Sequence, residues 1–144
     1  MPFYVDSCIY INLWQAEINR KYQPLWKFAL DFLEHVEKLN EVIYVSGFVV
    51  KELGFVLELE EFKQKIVLFE DESRFKRVIA TQEDYEAGRR LESASNFDIS
   101  FYDCMHVVLS RRLNAILITR DNKLLDFARN YCQTARPEEI VKTG

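Results

Sequence analysis

Two aspartates follow apolar runs at positions where strands would end. Asp6 directly follows the apolar residues 2–5, and Asp121 lies two residues after the apolar run 115–119. Ligands of parallel sheets collect at the carboxyl ends of the strands, so both carboxylates would lie at that functional edge. Either aspartate alone could equally be the N-cap of the helix that follows it.

Two further acids interrupt apolar helical stretches. The positions three and four residues from Glu52 on a predicted helix are all apolar: Phe48, Val49, Phe55 and Val56. An unpaired carboxylate on such a face costs on the order of several kcal/mol, and a buried ion pair with an arginine would be a purely structural explanation. Asp103 lies in the apolar segment 99–109, in the first turn of a helix, where the helix dipole favours an acid. Asp98 or Ser100 could cap that helix instead.

The four acids, on four separate elements, are explained better together than one by one. Carboxylates that converge at one sheet edge repel each other and raise each other's pKa unless a cation neutralises them. The sequence has no cluster of Cys or His beside them. Oxygen ligands alone favour a hard ion, so the pattern indicates Mg²⁺ or Mn²⁺.

The elements that must position these acids alternate along the chain. Strands are predicted at residues 2–5, 42–45, 75–80 and 115–119, with a last short strand near 132–135. Single helices are predicted from 7 to about 20, over 24–39, over about 101–113 and from 121 to about 131. Two consecutive helices are predicted over 47–72, and a further helix is predicted to begin at Thr81. Strands that are apolar on both faces, separated by such helices, indicate an α/β fold with a parallel sheet covered on both sides. Neither a dinucleotide-binding nor a P-loop glycine motif is present, which argues against nucleotide binding.

Length and composition narrow the class further. The 144 residues are 49% hydrophobic and 29% charged, which predicts one globular domain over residues 1–144 rather than a disordered chain. No apolar run is long enough to span a membrane. Three widely spaced cysteines predict neither a disulfide framework nor a zinc site, and they favour a reducing, cytoplasmic location. The net charge of −4 argues against a strongly basic nucleic-acid binder.

The four acids and their flanking residues resemble those of PIN-domain ribonucleases, including the toxin components of VapBC-type toxin–antitoxin pairs. The matching segments occur in the family's order at residues 5–7, 45–53, 100–107 and 117–123. The resemblance covers essentially the whole chain, although residues 54–95 contain no motif that can be matched. It implies a PIN-like, three-layer α/β/α fold with a central parallel sheet of four to five strands.

The same resemblance implies a metal-dependent endoribonuclease that hydrolyses RNA phosphodiester bonds. The catalytic and metal-binding residues would be Asp6, Glu52, Asp103 and Asp121, with Mg²⁺ or Mn²⁺ as the cofactor. The three aspartates would be direct or water-mediated ligands. Glu52 would be either a ligand or the group that orients the attacking water, and the sequence does not separate these roles.

Four neighbouring residues are candidates for auxiliary roles. The hydroxyls of Ser7 and Thr119 lie beside Asp6 and Asp121 in the sequence and could reach a bound water or a phosphate. Arg120 could pair with a phosphate or a carboxylate. His106, three residues after Asp103, is on the same helical face, but a histidine there is more often a packed, hydrogen-bonded core residue.

The partners implied by the resemblance are an RNA substrate, a possible antitoxin protein and a second copy of the chain in a homodimer. Two other readings remain open from the sequence. One is a housekeeping nuclease that processes RNA. The other is a non-catalytic PIN-like module that binds RNA or protein, which would have no need of an intact set of four acids.

Overall fold

The centre of the fold is a sheet of five parallel strands. A computed structural model describes the backbone of residues 1–143 and the side chains of residues 1–142. The strands are β1 (Phe3–Val5), β2 (Ile43–Ser46), β3 (Phe75–Val78), β4 (Ile116–Ile118) and β5 (Thr134–Ala135). They lie in the order β3-β2-β1-β4-β5, and every neighbouring pair is parallel. The chain therefore leaves all of these strands at one edge of the sheet.

Helices connect the strands and cover the sheet. They are α1 (Ser7–Trp14), α2 (Leu25–Leu39), α3 (Gly47–Val56), α4 (Leu59–Lys65), α5 (Val67–Asp71), α6 (Gln82–Ala94), α7 (Phe101–Arg112), α8 (Asn122–Ala128) and α9 (Pro137–Thr143). α1 and α9 pack on α2, and α6 packs on α7. Within the described residues, no helix combines the length and the apolar character that crossing a bilayer requires.

Burial on both faces explains why the three central strands are mostly apolar, whereas the edge strand β3 exposes Lys76 and Arg77. Tyr4, Ile43 and Leu117 on the three central strands have no exposed surface. A strand with helices above and below it must present apolar groups in both directions, because each side of the pleat meets packed side chains. α7 is buried from Cys104 to Ser110. This helix therefore runs through the interior and carries polar side chains into it.

The predicted fold class is confirmed. The structure has the PIN-like α/β/α arrangement with a parallel central sheet, and the sheet has five strands. The expected strand near 132–135 is present as β5, although it is only two residues long. The helix predicted from Thr81 is present as α6 and begins with a capping box: the Thr81 side chain accepts from the Asp84 N–H, and the Asp84 carboxylate accepts from the Thr81 N–H.

The first helix is shorter than the sequence pattern predicts. A helix to about residue 20 is wrong, because α1 ends at Trp14 and Ala16 takes a left-handed φ of 48°. The side chain of Asn19 then accepts hydrogen bonds from the backbone N–H groups of Lys21 and Gln23. An asparagine side chain that hydrogen-bonds to nearby backbone groups stabilises a turn instead of a helix. The spacing of apolar residues, from which the helix was predicted, does not show such hydrogen bonds.

The remaining differences concern the ends of elements and the number of helices. β3 ends at Val78 rather than at residue 80, and α8 ends at Ala128 rather than at about 131. The stretch 47–72 contains three helices where a helix and one successor are predicted. α9 occupies a segment for which no helix is predicted.

The contact between α6 and α7 depends on a glycine. A Cβ on Gly88 would collide with the buried Sδ of Met105 and lie 3.1 Å from the Phe101 ring. Gly88→Ala is therefore expected to lower the free energy of unfolding by roughly 1–2 kcal/mol, because overpacking outweighs the gain in helix propensity. The measurement is urea unfolding followed by circular dichroism.

The control is Gly47→Ala, because a Cβ on Gly47 would meet no atom within 4 Å. That substitution is expected to leave stability unchanged or to raise it slightly. Equal stability of the two variants would contradict the close approach of α6 and α7.

Candidate metal centre

The first acid of the site, Asp6, lies where β1 ends. Its backbone N–H donates to the Ile118 carbonyl on β4 at 2.9 Å, which fixes the strand end. Asp6 is the N-cap residue of α1, yet its side chain makes no capping hydrogen bond. Instead, one carboxylate oxygen accepts from the Thr119 hydroxyl at 2.7 Å and from the Cys8 thiol at 3.4 Å. The carboxylate is thus oriented away from the helix terminus.

Two helices bring further acids to Asp6. Ser46 and Ser100 cap α3 and α7 by accepting from the N–H groups of Val49 and Asp103, so neither helix uses an acid as its side-chain cap. Glu52 and Asp103 are thereby free to project into the same space. Ligand atoms of Asp6, Glu52, Asp103 and His106 all lie within 4.8 Å of one another, and Asp121 is not part of this group.

His106 connects the acids to the core. Its Nε2 lies 2.6 Å from Glu52 Oε1 and 3.7 Å from Asp6 Oδ1. Its Nδ1 lies 2.7 Å from the Tyr4 hydroxyl, which lies 2.6 Å from the Ser46 hydroxyl. When the Ser46 and Tyr4 hydroxyls each donate toward the imidazole, Nδ1 accepts and the Nε2–H donates to Glu52. The partner of the Glu52 carboxylate is therefore a histidine, not the arginine that a structural ion pair suggests.

Asp121 lies at the rim of the group and caps α8. Its Oδ1 accepts from the backbone N–H groups of Lys123 and Leu124, at 3.0 and 3.2 Å. The helix-cap explanation, left open by the sequence, thus describes this side chain, whereas it does not describe Asp6. Asp121 is still close enough to Asp103 for its charge to raise the pKa of that carboxyl group.

The auxiliary residues have three different environments. The Thr119 hydroxyl holds Asp6, as above, and also accepts from the Asp121 N–H at 3.2 Å. The Ser7 hydroxyl is 3.4 Å from Asp6 Oδ1. Arg120 has the carboxylate partner foreseen for it: its two terminal nitrogens donate to Glu138 at 2.7 and 3.0 Å, and its Nε donates to Asn12 at 3.2 Å.

The electrostatics of the group favour protons or a cation. Burial, opposed by the charge of His106 and reinforced by the charges of Asp6, Glu52 and Asp121, raises the pKa of Asp103 to about 6. Burial lowers the pKa of His106, but the hydrogen bond to Glu52 and the charges of Asp6, Glu52 and Asp103 outweigh burial and raise it overall. Three carboxylates this close together therefore favour the binding of a proton or a cation.

Sequence reasoning gave little weight to His106 and none to Tyr4 and Ser46. The sequence places Asp103 and His106 three residues apart on one helical face. That spacing is as compatible with a histidine packed in the core as with one that contacts the acids. Tyr4 lies inside an apolar strand, where its hydroxyl gives no periodic signal. Only the parallel pairing of β1 with β2 shows that Tyr4 and Ser46 can meet.

Comparison with known proteins identifies the family. A PIN domain profile matches residues 3–130, and the chain therefore belongs to the PIN domain family. A search of curated protein sequences gives no match.

Solved structures with the same fold include complexes from two bacteria. VapBC2 from Rickettsia felis, bound to a DNA fragment from its promoter, is 17% identical with a TM-score of 0.68, over 94% of this chain and 98% of that chain. FitAcB from Neisseria gonorrhoeae is 14% identical with a TM-score of 0.64, over 94% and 97% of the two chains. At these identities the likeness concerns the fold.

The raised pKa values set how stability changes with pH. The folded protein holds the Asp103 proton more tightly than the unfolded chain does, so this group lowers stability as pH rises from about 4 to 6. His106 stabilises the fold while protonated, and that contribution is lost as pH rises through its raised folded pKa. With a chelator present, the free energy of unfolding is expected to fall by roughly 1–2 kcal/mol between pH 4.5 and 7.

The check is urea unfolding of the wild type and of Asp103→Asn at both pH values. The free energy of unfolding of the asparagine variant is expected to decrease less between the two pH values, and at pH 7 to equal or exceed that of the wild type. If the two proteins have the same pH dependence, Asp103 does not carry the raised pKa.

Tyr4→Phe tests how the buried hydroxyls support Glu52. Loss of the Tyr4 hydroxyl leaves His106 Nδ1 without a partner in the core, which is expected to cost roughly 1–3 kcal/mol of stability. Because the imidazole orients Glu52, Mn²⁺ affinity is expected to fall about 10-fold. Calorimetric titration with Mn²⁺ and urea unfolding measure the two effects.

The matched control is Tyr44→Phe. Tyr44 is the Cα partner of Tyr4 on β2, and its hydroxyl makes no hydrogen bond among the described residues. Its substitution is expected to leave Mn²⁺ affinity unchanged. An equal loss of affinity in both variants would show that strand packing, rather than the Tyr4–His106 contact, supports the site.

Proposed function

We propose that this protein is a metal-dependent endoribonuclease that hydrolyses RNA phosphodiester bonds. The observation that carries the proposal is the convergence of Asp6, Glu52 and Asp103 within 4.8 Å at the carboxyl edge of the sheet. Each is brought there by a different element, and none is neutralised by a lysine or arginine in the described chain. The PIN domain family, whose members are generally metal-dependent nucleases, supports the same function.

The residues present fit a hard divalent cation, Mg²⁺ or Mn²⁺. The three carboxylates supply oxygen donors, and their mutual repulsion makes a cation favourable. His106 directs its Nε2 to Glu52 at 2.6 Å, so the ligand set proposed here consists of oxygens. Asp6, Glu52 and Asp103 would hold the ion, with Asp121 joining through water. When bound, the ion supplies positive charge that stabilises the attacking and leaving oxygens of the phosphodiester.

The protein's own groups have separate tasks in this proposal. Thr119 and Ser7 hold the Asp6 carboxylate in place. Glu52, fixed by the imidazole of His106, lies where it can orient a water molecule and accept its proton as that water attacks phosphorus. Tyr4, itself bonded to Ser46, donates to Nδ1 of His106 and so leaves the Nε2–H to donate to Glu52.

A cationic cleft beside the site supports a polyanionic substrate. The cleft has a volume of about 500 Å³, and Arg20, Lys21, Arg120 and Arg136 line it against one acid, Glu138. Arg120 precedes Asp121, so the cleft adjoins the carboxyl edge of the sheet. Arg120 and Arg136 are already paired with Glu138 and Glu139, so Arg20 and Lys21 would supply most of the charge that holds phosphates next to the acids.

We further propose an antitoxin partner, a homodimer and a cytoplasmic location. The structures of VapBC2 from Rickettsia felis and FitAcB from Neisseria gonorrhoeae, which share the fold, are complexes, and this supports a toxin controlled by a bound antitoxin. The exposed apolar side chains of Phe55, Val56 and Leu59 favour association with a second protein surface. The unpaired cysteines and an RNA substrate suit the cytoplasm.

Removing the acids one at a time tests the proposed activity. Asp6→Asn and Asp103→Asn are each expected to reduce Mn²⁺-dependent cleavage of single-stranded RNA by at least about 100-fold, the upper end of the cost of losing an outer-shell partner. Without metal, both variants are expected to keep or exceed wild-type stability, because charge repulsion is relieved. Gel assays with labelled RNA and with DNA of the same sequence measure the activity and its preference.

The control variant is Asp126→Asn, because Asp126 is exposed on α8 beside Arg129 and takes no part in the acid group. It is expected to cleave as the wild type does, and chelation is expected to abolish cleavage by both. Wild-type rates in Asp6→Asn and Asp103→Asn would refute the proposal. A wild type that binds RNA and Mn²⁺ but never cuts would instead be a binding module.

A further inference from the structure

We infer that a small pocket beside the metal centre binds one unpaired nucleobase of the substrate strand; this inference rests on the proposed function. The pocket has a volume of about 210 Å³, below the roughly 300 Å³ at which pockets for drug-sized ligands begin. Its size suits one ring system rather than a folded ligand. The lining residues that matter here are Gly47, Phe48, Lys51, Arg77, Ile79 and Tyr85.

The walls of this base pocket are aromatic and apolar. Phe48 and Tyr85 meet edge to face at 5.8 Å between ring centroids, so one ring is supported by the other. Tyr85 is 43% exposed and Ile79 is 82% exposed, although both are large apolar side chains. Phe48 is buried, so Tyr85 is the ring that a base could stack on, as unpaired bases do in single-strand binding proteins.

The charge of the base pocket matches a phosphate chain. Lys51 and Arg77 line the pocket, and no carboxylate does. Neither cation forms an ion pair with any residue that the structure describes. Two cations without an ion-pair partner, beside the exposed ring of Tyr85 in a protein of net charge −4, favour a polyanion that carries bases over an apolar protein segment.

The position of the base pocket makes it part of the same substrate path. Ser46, which also lines the pocket, contacts Tyr4 in the hydrogen-bonded series that ends on Glu52. Lys51 directly precedes Glu52, and Phe48 lies one helical turn before it. A strand whose phosphodiester lies at the acids can therefore place a neighbouring base in the pocket. Duplex RNA cannot do so without losing a base pair.

Gly47 provides a way to close the pocket without disturbing the core. A Cβ on Gly47 would meet no atom within 4 Å, although the residue lines the pocket. Gly47→Leu is expected to raise KM for single-stranded RNA about 10-fold while kcat stays within twofold, as loss of one stacked base predicts. Replacing single nucleotides of the RNA by abasic ones is expected to raise the wild-type KM at one position, and to have no effect there in Gly47→Leu.

A second experiment removes two positive charges from the pocket and compares the result with removal of two positive charges elsewhere. The double variant Lys51→Gln/Arg77→Gln is expected to raise KM. The slope of log(kcat/KM) against the logarithm of salt concentration is expected to become shallower by about 1.4, because two contacts to phosphates of a single strand are lost. The control, Lys38→Gln with Arg129→Gln, removes the same charge from the ends of α2 and α8 at the opposite edge of the sheet. It is expected to leave the slope unchanged. Mn²⁺ affinity, measured by calorimetry, is expected to be the same in all of these variants.

The outcomes separate this inference from the proposed function. If the wild type cleaves RNA and Gly47→Leu cleaves it with the same KM and the same response to abasic sites, the base pocket is refuted and the nuclease stands. If Gly47→Leu instead changes only the sedimentation of the protein, the pocket is a protein interface and the inference is refuted. If the wild type binds Mn²⁺ but cleaves no RNA, the proposed function fails and this inference fails with it.

Discussion

The structure depends on how three like-charged carboxylates are held together at one edge of the sheet. Their burial and their mutual repulsion oppose folding, and both raise the pKa of Asp103, burial more than repulsion. The short contact between Glu52 and His106 offsets part of it by placing a donor, and at lower pH a positive charge, among the acids. A site with this balance is stable enough to form yet still attracts a cation. Such a balance is expected of a centre whose function begins with metal binding.

Parallel topology is what lets distant residues meet. β1 and β4 pair in the core, so Asp6 and Thr119, which are 113 positions apart, share a hydrogen bond of 2.7 Å. α3 and α7 then begin near that edge, each capped by a serine; the second turn of α3 carries Glu52 and the first turn of α7 carries Asp103. The buried strands keep these positions fixed. The exposed loops and helix ends around them are free to contact other molecules.

Much of this arrangement could be predicted from the sequence, because it follows from patterns of burial. The parallel sheet follows from strands that are apolar on both faces. The anomalous placement of Glu52 on an apolar helical face pointed to the acid group. Asp121 shows the limit, since an aspartate after a strand has the same local pattern whether it caps a helix or holds a metal. The contacts of Tyr4 and the base pocket are formed by side chains from elements far apart in sequence, so no local sequence pattern predicts them.

The pairing of Arg120 with Glu138 links the last helix to the chemistry of the edge. Arg120 directly precedes Asp121, and both of its terminal nitrogens are engaged by a residue of α9. The guanidinium is therefore already compensated and does little to quench the negative field of the acids. Without α9, Arg120 would lose its carboxylate partner and would leave an unpaired positive charge one residue from Asp121. The docking of α9 thus decides whether the positive charge next to Asp121 is paired within the protein.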